Sequence, residues 1–246
     1  MSGRVAVVTG GVGGIGTEIC RGLHNAGFKV VSTYAPFEKD AASAWKAERE
    51  AEGTPMETAE VDVSNFESCQ TCIAAIEQQV GPVEVLVNNA GITKDSFLHK
   101  MTYEQWSAVL RVNLDSAFNM TRQVINGMRE RGFGRIVNIS SINGRKGQFG
   151  QANYSAAKAG MHGFTMAVAQ EGAAKNVTCN TISPGYIATK MVMAMKEEVV
   201  AKIVSGVPVG RLGKPEEIAR VVVFLAEDSG YITGANIDIN GGQFMG

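Results

Sequence analysis

VAVVTGGVGGIGTEICRGLHNA, residues 5–26, begins as a short apolar run from Val5 to Thr9, crosses a glycine-rich turn, and ends in an amphipathic pattern from Thr17 to Ala26. The order is strand, glycine loop, helix. Glycines let the backbone turn tightly and approach a pyrophosphate, which would sit on the amides and positive dipole end of the helix. Gly10, Gly14 and Gly16, with Ile15 between the last two, give Gly-x-x-x-Gly-x-Gly rather than the commoner Gly-x-Gly-x-x-Gly. A glycine turn alone says little; between a strand and a helix it predicts a dinucleotide site.

Outward from this stretch, Lys29 to Tyr34 reads as a second strand and Lys39 to Glu52 as the next helix. An acid near the end of strand two usually holds the ribose hydroxyls of NAD, and basic residues there receive the extra phosphate of NADP. Here Thr33 and Tyr34 are neutral, and Lys39 is flanked by Glu38 and Asp40. Gly13 puts no basic side chain in the glycine loop, so use of both cofactors is expected. Met56 to Asp62 is a third strand; Asp62, followed by Val63, is placed to accept from an adenine amino group or to cap a helix. Ser64 and Glu67 predict a capping box opening the next helix. Val83 to Val87 is a fourth strand leading to Asn88-Asn89-Ala90-Gly91, an ordinary Asn-rich turn or a small-residue turn that a cofactor ring approaches closely. Thr102 and Gln105 form a second capping box, opening one long helix that carries Asn113 and runs to about Asn126. Asn113 has low propensity for a helix interior and is either solvated or specifically hydrogen-bonded.

Arg135 to Ser140 is a fifth strand that delivers Ser141, and the following helical segment carries Tyr154 and Lys158 on one face. An ammonium about 5 Å from a phenol would lower its pKa by roughly two units, from about 10 toward 8. Such a phenol exchanges protons with an alkoxide near neutral pH, and the Ser141 hydroxyl is placed to bond the same oxygen. Taken alone, a Tyr-x-x-x-Lys pair is more often surface decoration. Val177 to Ser183 is a sixth strand, followed by the turn Pro184-Gly185-Tyr186-Ile187-Ala188-Thr189 on the side where open α/β sheets bind ligands. Met191, Met193 and Met195 read by default as a core or interface stripe, although residues 187–213 also suit a movable lid. Pro215 starts a helix with Glu216 and Glu217 in its first turn, and Ala235 to Ile239 is the last strand. Seven strands alternating with helices predict one α/β domain over residues 1–246, a doubly wound seven-stranded parallel sheet with helices on both faces.

Composition excludes several classes. With 23 basic and 24 acidic residues there is no electrostatic footprint for nucleic acid or an acidic membrane surface. No apolar run reaches membrane-span length and the N-terminal residues show no signal-peptide pattern, so a soluble, cytoplasmic protein is expected. Four cysteines are too few for a disulfide scaffold. Cys69 and Cys72 lack a second Cys or His cluster and read as two small buried residues on one helix face. His24, His99 and His162 share no metal-like spacing, and no metal is expected.

The glycine turn, Asn88 to Gly91, Asn113, Ser141, Tyr154-x-x-x-Lys158 and Pro184-Gly185 occur in the order of a short-chain dehydrogenase/reductase, which the chain resembles over essentially its full length. Gly147 to Gln151, Ser183 to Thr189 and Asn240 to Gly246 are similar, more narrowly, to acetoacetyl-CoA reductases of polyhydroxyalkanoate synthesis. The resemblance implies a Rossmann-type fold and reduction of a short 3-oxoacyl-CoA to its (R)-3-hydroxy form, with hydride from NADP(H) or NAD(H). It implies Tyr154 as acid/base, Ser141 on the substrate oxygen, Lys158 on the nicotinamide ribose and Asn113 on a relay water. Gln148, Phe149, Gln151 and Tyr186 would line the acyl pocket, and a homotetramer is the family expectation. One departure is that many NADP-preferring relatives have basic residues where this chain offers only Lys39. The competing expectations are a 3-oxoacyl-carrier-protein reductase and, outside enzymes, a cofactor-binding sensor without turnover. A sensor would not need the complete set Asn113, Ser141, Tyr154 and Lys158.

Overall fold

The computed structural model describes residues 3–227 and 230–246. Its first half contains β1 (Val5–Val8), α1 (Gly14–Asn25), β2 (Lys29–Tyr34), α2 (Lys39–Ala51), β3 (Glu57–Glu60), α3 (Phe66–Gln79), β4 (Val83–Asn88), α4 (Tyr103–Leu110) and α5 (Ser116–Arg131). The second contains β5 (Gly134–Ile139), α6 (Ile142–Lys146), α7 (Ala152–Gly172), β6 (Val177–Pro184), α8 (Lys190–Met193), α9 (Glu197–Ser205), α10 (Pro215–Glu227) and β7 (Asn236–Ile239). The strands form one parallel sheet in the order β3-β2-β1-β4-β5-β6-β7.

Every residue of β1, β5 and β6 is buried. Side chains alternate across a sheet, so strands without polar alternation need cover on both faces. Ala6, Val8, Val87, Val137 and Ile182 pack with Ile19 and Leu23 of α1 and Ile218, Val222 and Leu225 of α10. Val5, Val7, Leu86 and Ile136 pack on the other face with Ile73 and Ile76 of α3 and Met120, Val124 and Met128 of α5. This is the expected doubly wound Rossmann-type sheet. Its order reverses between β1 and β4, opening a crevice at their carboxyl ends.

Three local expectations are corrected. Ser64 does not cap α3, because its hydroxyl donates to Asp62 Oδ1 at 2.7 Å; Asn65 is the cap, its Oδ1 accepting from Ser68 N at 2.7 Å. Thr102 and Gln105 do form their reciprocal box, at 3.2 and 2.9 Å. The helix they open is not continuous, since a π-helical turn over Arg111–Asp115 separates α4 from α5. It also runs past Asn126 to Arg131, where Gly132 at φ +68° ends it in the left-handed conformation. Finally, Met193 and Met195 are exposed, which removes the core alternative for the methionine stripe and leaves the interface one; the side chain of Met191 lies outside the described residues. Among the described residues no helix is long and apolar enough to cross a membrane.

Candidate active site

The crevice is walled by residues that leave the carboxyl ends of β1, β4, β5 and β6. Helix α1 starts at Gly14 with no side-chain cap and no acid in its first turn, leaving its amides and positive dipole end for an anion. The loop before it is closely folded. A Cβ on Gly16 would lie 2.5 Å from Gly10 O and 2.9 Å from Asn89 Nδ2, and Gly10 itself stands at φ +60°. Thr9 Oγ1 accepts from the amides of Asn89 and Ala90 at 2.9 and 3.0 Å, while Asn89 Nδ2 donates to Thr9 O and Gly10 O. The turn after β4 is thereby fixed on the end of β1. From the other side, a Cβ on Gly14 would meet Thr189 at 3.2 Å. A helix start without an acid and a cradle that Cβ atoms would fill fit a dinucleotide.

The remaining cofactor candidates are placed unequally. Tyr34 ends β2 half-buried, and Lys39 opens α2 exposed. Glu38 is turned back, its Oε2 accepting from Ala35 N at 2.9 Å. Asp62 is exposed beyond the end of β3, and Val63 is buried with its carbonyl accepting from Asn119 Nδ2. Pro184 closes β6; Gly185 donates to Ile239 O and sits so close to Asn240 that a Cβ would fall 2.8 Å from its Cα. Ile187 turns into the core beside Gly213.

Asn113, Ser141 and Lys158 are held by three different local devices. Asn113 is fully buried in the π-helical turn, its Nδ2 donating at 2.9 Å to Val109 O and to Ile92 O. A widened turn of this kind is frequent at functional sites. Asn113 Oδ1 has no partner among the described residues. Gly91 locates it, since a Cβ there would lie 2.6 Å from Asn113 Oδ1 and 3.5 Å from Lys158 Nζ. Ser141 caps α6, its Oγ accepting from Asn143 N at 3.1 Å, which leaves the serine proton free to donate. Lys158 is 3 % exposed; Nζ donates to Ile139 O at 2.7 Å and lies 5.7 Å from the Tyr154 ring centre.

The electrostatics differ from the expectation of a depressed phenol pKa. Burial pulls Lys158 down to about 7, and its ammonium is turned to Ile139 O. Tyr154 is half-buried overall, but the atoms packed around its hydroxyl strip solvation and raise its pKa; a hydrogen bond from Ser141 opposes this and the Asp95 charge adds to it. The phenol therefore stays protonated at neutral pH, the form that a proton donor needs.

Of the substrate candidates, Gln148 and Tyr186 are half-buried, and Phe149 is exposed with its ring 4.9 Å from that of Phe97. Gln151 is engaged at both ends, its Nε2 with Asp95 and its Oε1 with Asn143. Cys69 and Cys72 are the small buried residues of α3 that the sequence suggests, and burial pushes their thiols to about 12 and about 11. Among the described residues no group of three His, Cys, Asp or Glu could hold a metal ion.

A family model described as short chain dehydrogenase matches residues 4–200. The chain belongs to the short-chain dehydrogenase family. It is 58% identical over 243 residues to the acetoacetyl-CoA reductase of Allochromatium vinosum, covering 98% of this chain and 99% of that one. It is 59% identical over 244 residues to the acetoacetyl-CoA reductase of Shinella zoogloeoides, with the same coverage. The 3-oxoacyl-[acyl-carrier-protein] reductase of Haemophilus influenzae is 41% identical over 248 residues and the full length of both.

Residues of this short-chain dehydrogenase that sequence reasoning did not single out are Thr9, Phe97, Asp95 and Thr189. Thr9 and Thr189 carried a signal, being the polar ends of an apolar strand and of the turn after β6. Asp95 and Phe97 lie in an irregular loop and meet the site only through the fold.

Proposed function

We propose that this dehydrogenase reduces the 3-keto group of a short 3-oxoacyl-CoA, acetoacetyl-CoA first, to the (R)-3-hydroxy thioester. The observation that carries this reading is end-to-end likeness at 58% and 59% to two acetoacetyl-CoA reductases, against 41% to a carrier-protein reductase. A nicotinamide cofactor, when bound, supplies the hydride. Gly10, Gly14, Ile15 and Gly16 would hold its pyrophosphate, and Asp62 and Val63 its adenine. Asn89, Ala90, Gly91, Pro184, Gly185 and Ile187 would border its nicotinamide half. Tyr34 and Lys39 face the adenosine ribose in this reading; one exposed lysine beside Asp40 supports use of both NADPH and NADH.

Tyr154 donates its proton to the oxygen of the reduced carbonyl, and Ser141 donates a second hydrogen bond to that oxygen. Both have a hydrogen to give: the phenol is raised in pKa, and the serine oxygen accepts from Asn143 N while keeping its own proton. Lys158 would hold the nicotinamide ribose, and its gain of polar partners there restores its ammonium, which then favours phenolate as the proton leaves. Asn113 Oδ1, buried and unpartnered, would hold the relay water that returns a proton through Lys158. Gln148, Phe149, Gln151 and Tyr186 would enclose the four-carbon acyl group. Residues 187–213 would act as a lid, supported by helix α9, which buries no side chain. Exposed Phe118, Met166 and Phe224 support the expectation of a homotetramer.

The test is kcat/KM for acetoacetyl-CoA against acetoacetyl-carrier protein and a longer 3-oxoacyl-CoA, with the product resolved by chiral analysis. One added methylene changes discrimination by only about 1–3 kcal/mol, so a five-carbon substrate should still react. Preference for the carrier protein moves the protein to fatty-acid synthesis. An (S) product overturns the placement of the carbonyl.

A further inference from the structure

Gln151 stands beside Tyr154 at the start of α7, yet its side chain does not cap that helix. Its Nε2 donates to Asp95 Oδ1 and Oδ2 at 3.0 and 2.9 Å, and its Oε1 accepts from Asn143 Nδ2 at 2.9 Å. Asn143 in turn donates its backbone N–H to Ser141 Oγ. We propose that Asp95 is a positioning residue for the reducing centre, acting through Gln151 and Asn143 on Ser141. The inference deepens the reading above and rests on it.

The argument is one of hydrogen-bond polarity. An amide side chain can present either end to a neighbour, and Gln151 and Asn143 joined only to each other could flip together. An ionised carboxylate accepts and cannot donate. Asp95 therefore turns Gln151 Nε2 toward itself, which turns Oε1 toward Asn143, which fixes Asn143 Nδ2 as the donor. Asn143 is the second residue of α6, so holding its side chain holds the helical turn whose cap is Ser141. The backbone amide of Asn143 then meets Ser141 Oγ as a donor, which leaves the serine proton available to be given. Two further features fit this role. No cation lies within ion-pair distance of Asp95 among the described residues, and both of its carboxylate oxygens bond a neutral amide. The loop carrying it is also tied by backbone to the same place, with Ser96 N donating to Gly150 O at 2.9 Å and Ser96 paired with Gln151.

The experiment is a cycle of four variants assayed for kcat and KM with acetoacetyl-CoA at saturating cofactor. Asp95→Ala lets the chain flip, and kcat should fall about tenfold with little change in KM, a small misorientation near reacting atoms being costly. Gln151→Glu sets two carboxylates against each other and should lose at least as much. Asp95→Asn keeps an acceptor, and kcat should recover most of the loss seen with Asp95→Ala. The decisive member is Asp95→Asn/Gln151→Glu, in which donor and acceptor exchange places: the amide introduced at position 95 donates, and the carboxylate introduced at position 151 accepts both from it and from Asn143. Its kcat should exceed that of Gln151→Glu alone by about tenfold, a non-additivity expected only of directly coupled residues. Losses that multiply in the double variant overturn the proposal, and so does a rise in KM at unchanged kcat, which would make Asp95 a substrate ligand. The substrate reading is judged separately by the wild-type rate. If wild type prefers acetoacetyl-carrier protein, the same cycle is read on that substrate with the same criteria.

Discussion

Lys158→Met should make the cofactor-free protein more stable as it removes activity, with a pH dependence that identifies the cause. A lysine taken from its ordinary 10.5 to about 7 by burial carries a desolvation penalty on the order of 5 kcal/mol below pH 7, where the ammonium is charged in both folded and unfolded chains. Between pH 7 and 10.5 the folded protein has released this proton and the unfolded chain still binds it. Stability therefore rises with pH across that window by about 1.4 kcal/mol per unit, and the penalty disappears above it. Methionine fills similar space without the charge and loses the bond to Ile139 O, a pH-independent deficit of about 1 kcal/mol. The net gain should be largest below pH 7, roughly 3–4 kcal/mol, and should shrink steadily toward pH 10. Urea midpoints of wild type and variant at pH 6, 7.5 and 9, at one protein concentration without cofactor, read the difference. A difference that is flat with pH, or one that grows as pH rises, shows that burial does not lower the pKa of Lys158.

Gly91→Ala would drive a Cβ to 2.6 Å from Asn113 Oδ1, so kcat should fall 10- to 100-fold while the far-ultraviolet circular dichroism stays unchanged; wild-type kcat would show that Gly91 does not set this geometry. Asp40→Arg should raise the NADPH to NADH ratio of kcat/KM about tenfold, through a charge-assisted bond to the extra phosphate. Asp40 is the position to change, because Glu38 is occupied in bonding Ala35 N. An unchanged ratio would mean that the start of α2 does not read the phosphate.

Much of this was legible in the residues. Unbroken apolar runs such as Val5 to Val8 announce strands buried on both faces, and the glycines after them have few other uses than a close backbone approach. The candidate set Asn113, Ser141, Tyr154 and Lys158 was picked out as residue types in order, and the structure brings Asn113, Gly91 and Lys158 within a few ångströms. What escaped depends on geometry and burial that residue spacing does not specify. The capping box at Ser64 failed because Asp62 takes that hydroxyl, and two equally good patterns one residue apart cannot be ranked without geometry. The π-helical turn at Asn113, where the side chain bonds Ile92 O and Val109 O, is not encoded in a 3.6-residue period. The phenol pKa was misjudged because a sequence gives the neighbour, Lys158, without its burial.

The central claim is that Tyr154 gives the proton in reduction of a short 3-oxoacyl-CoA. Its most direct test is single-turnover reduction of acetoacetyl-CoA by Tyr154→Phe beside wild type, with cofactor affinity measured by fluorescence titration on the same preparations. The account predicts unchanged cofactor affinity and a rate lower by at least the ~100-fold typical of losing a general acid. A rate within a few fold of wild type, with cofactor bound, would contradict it.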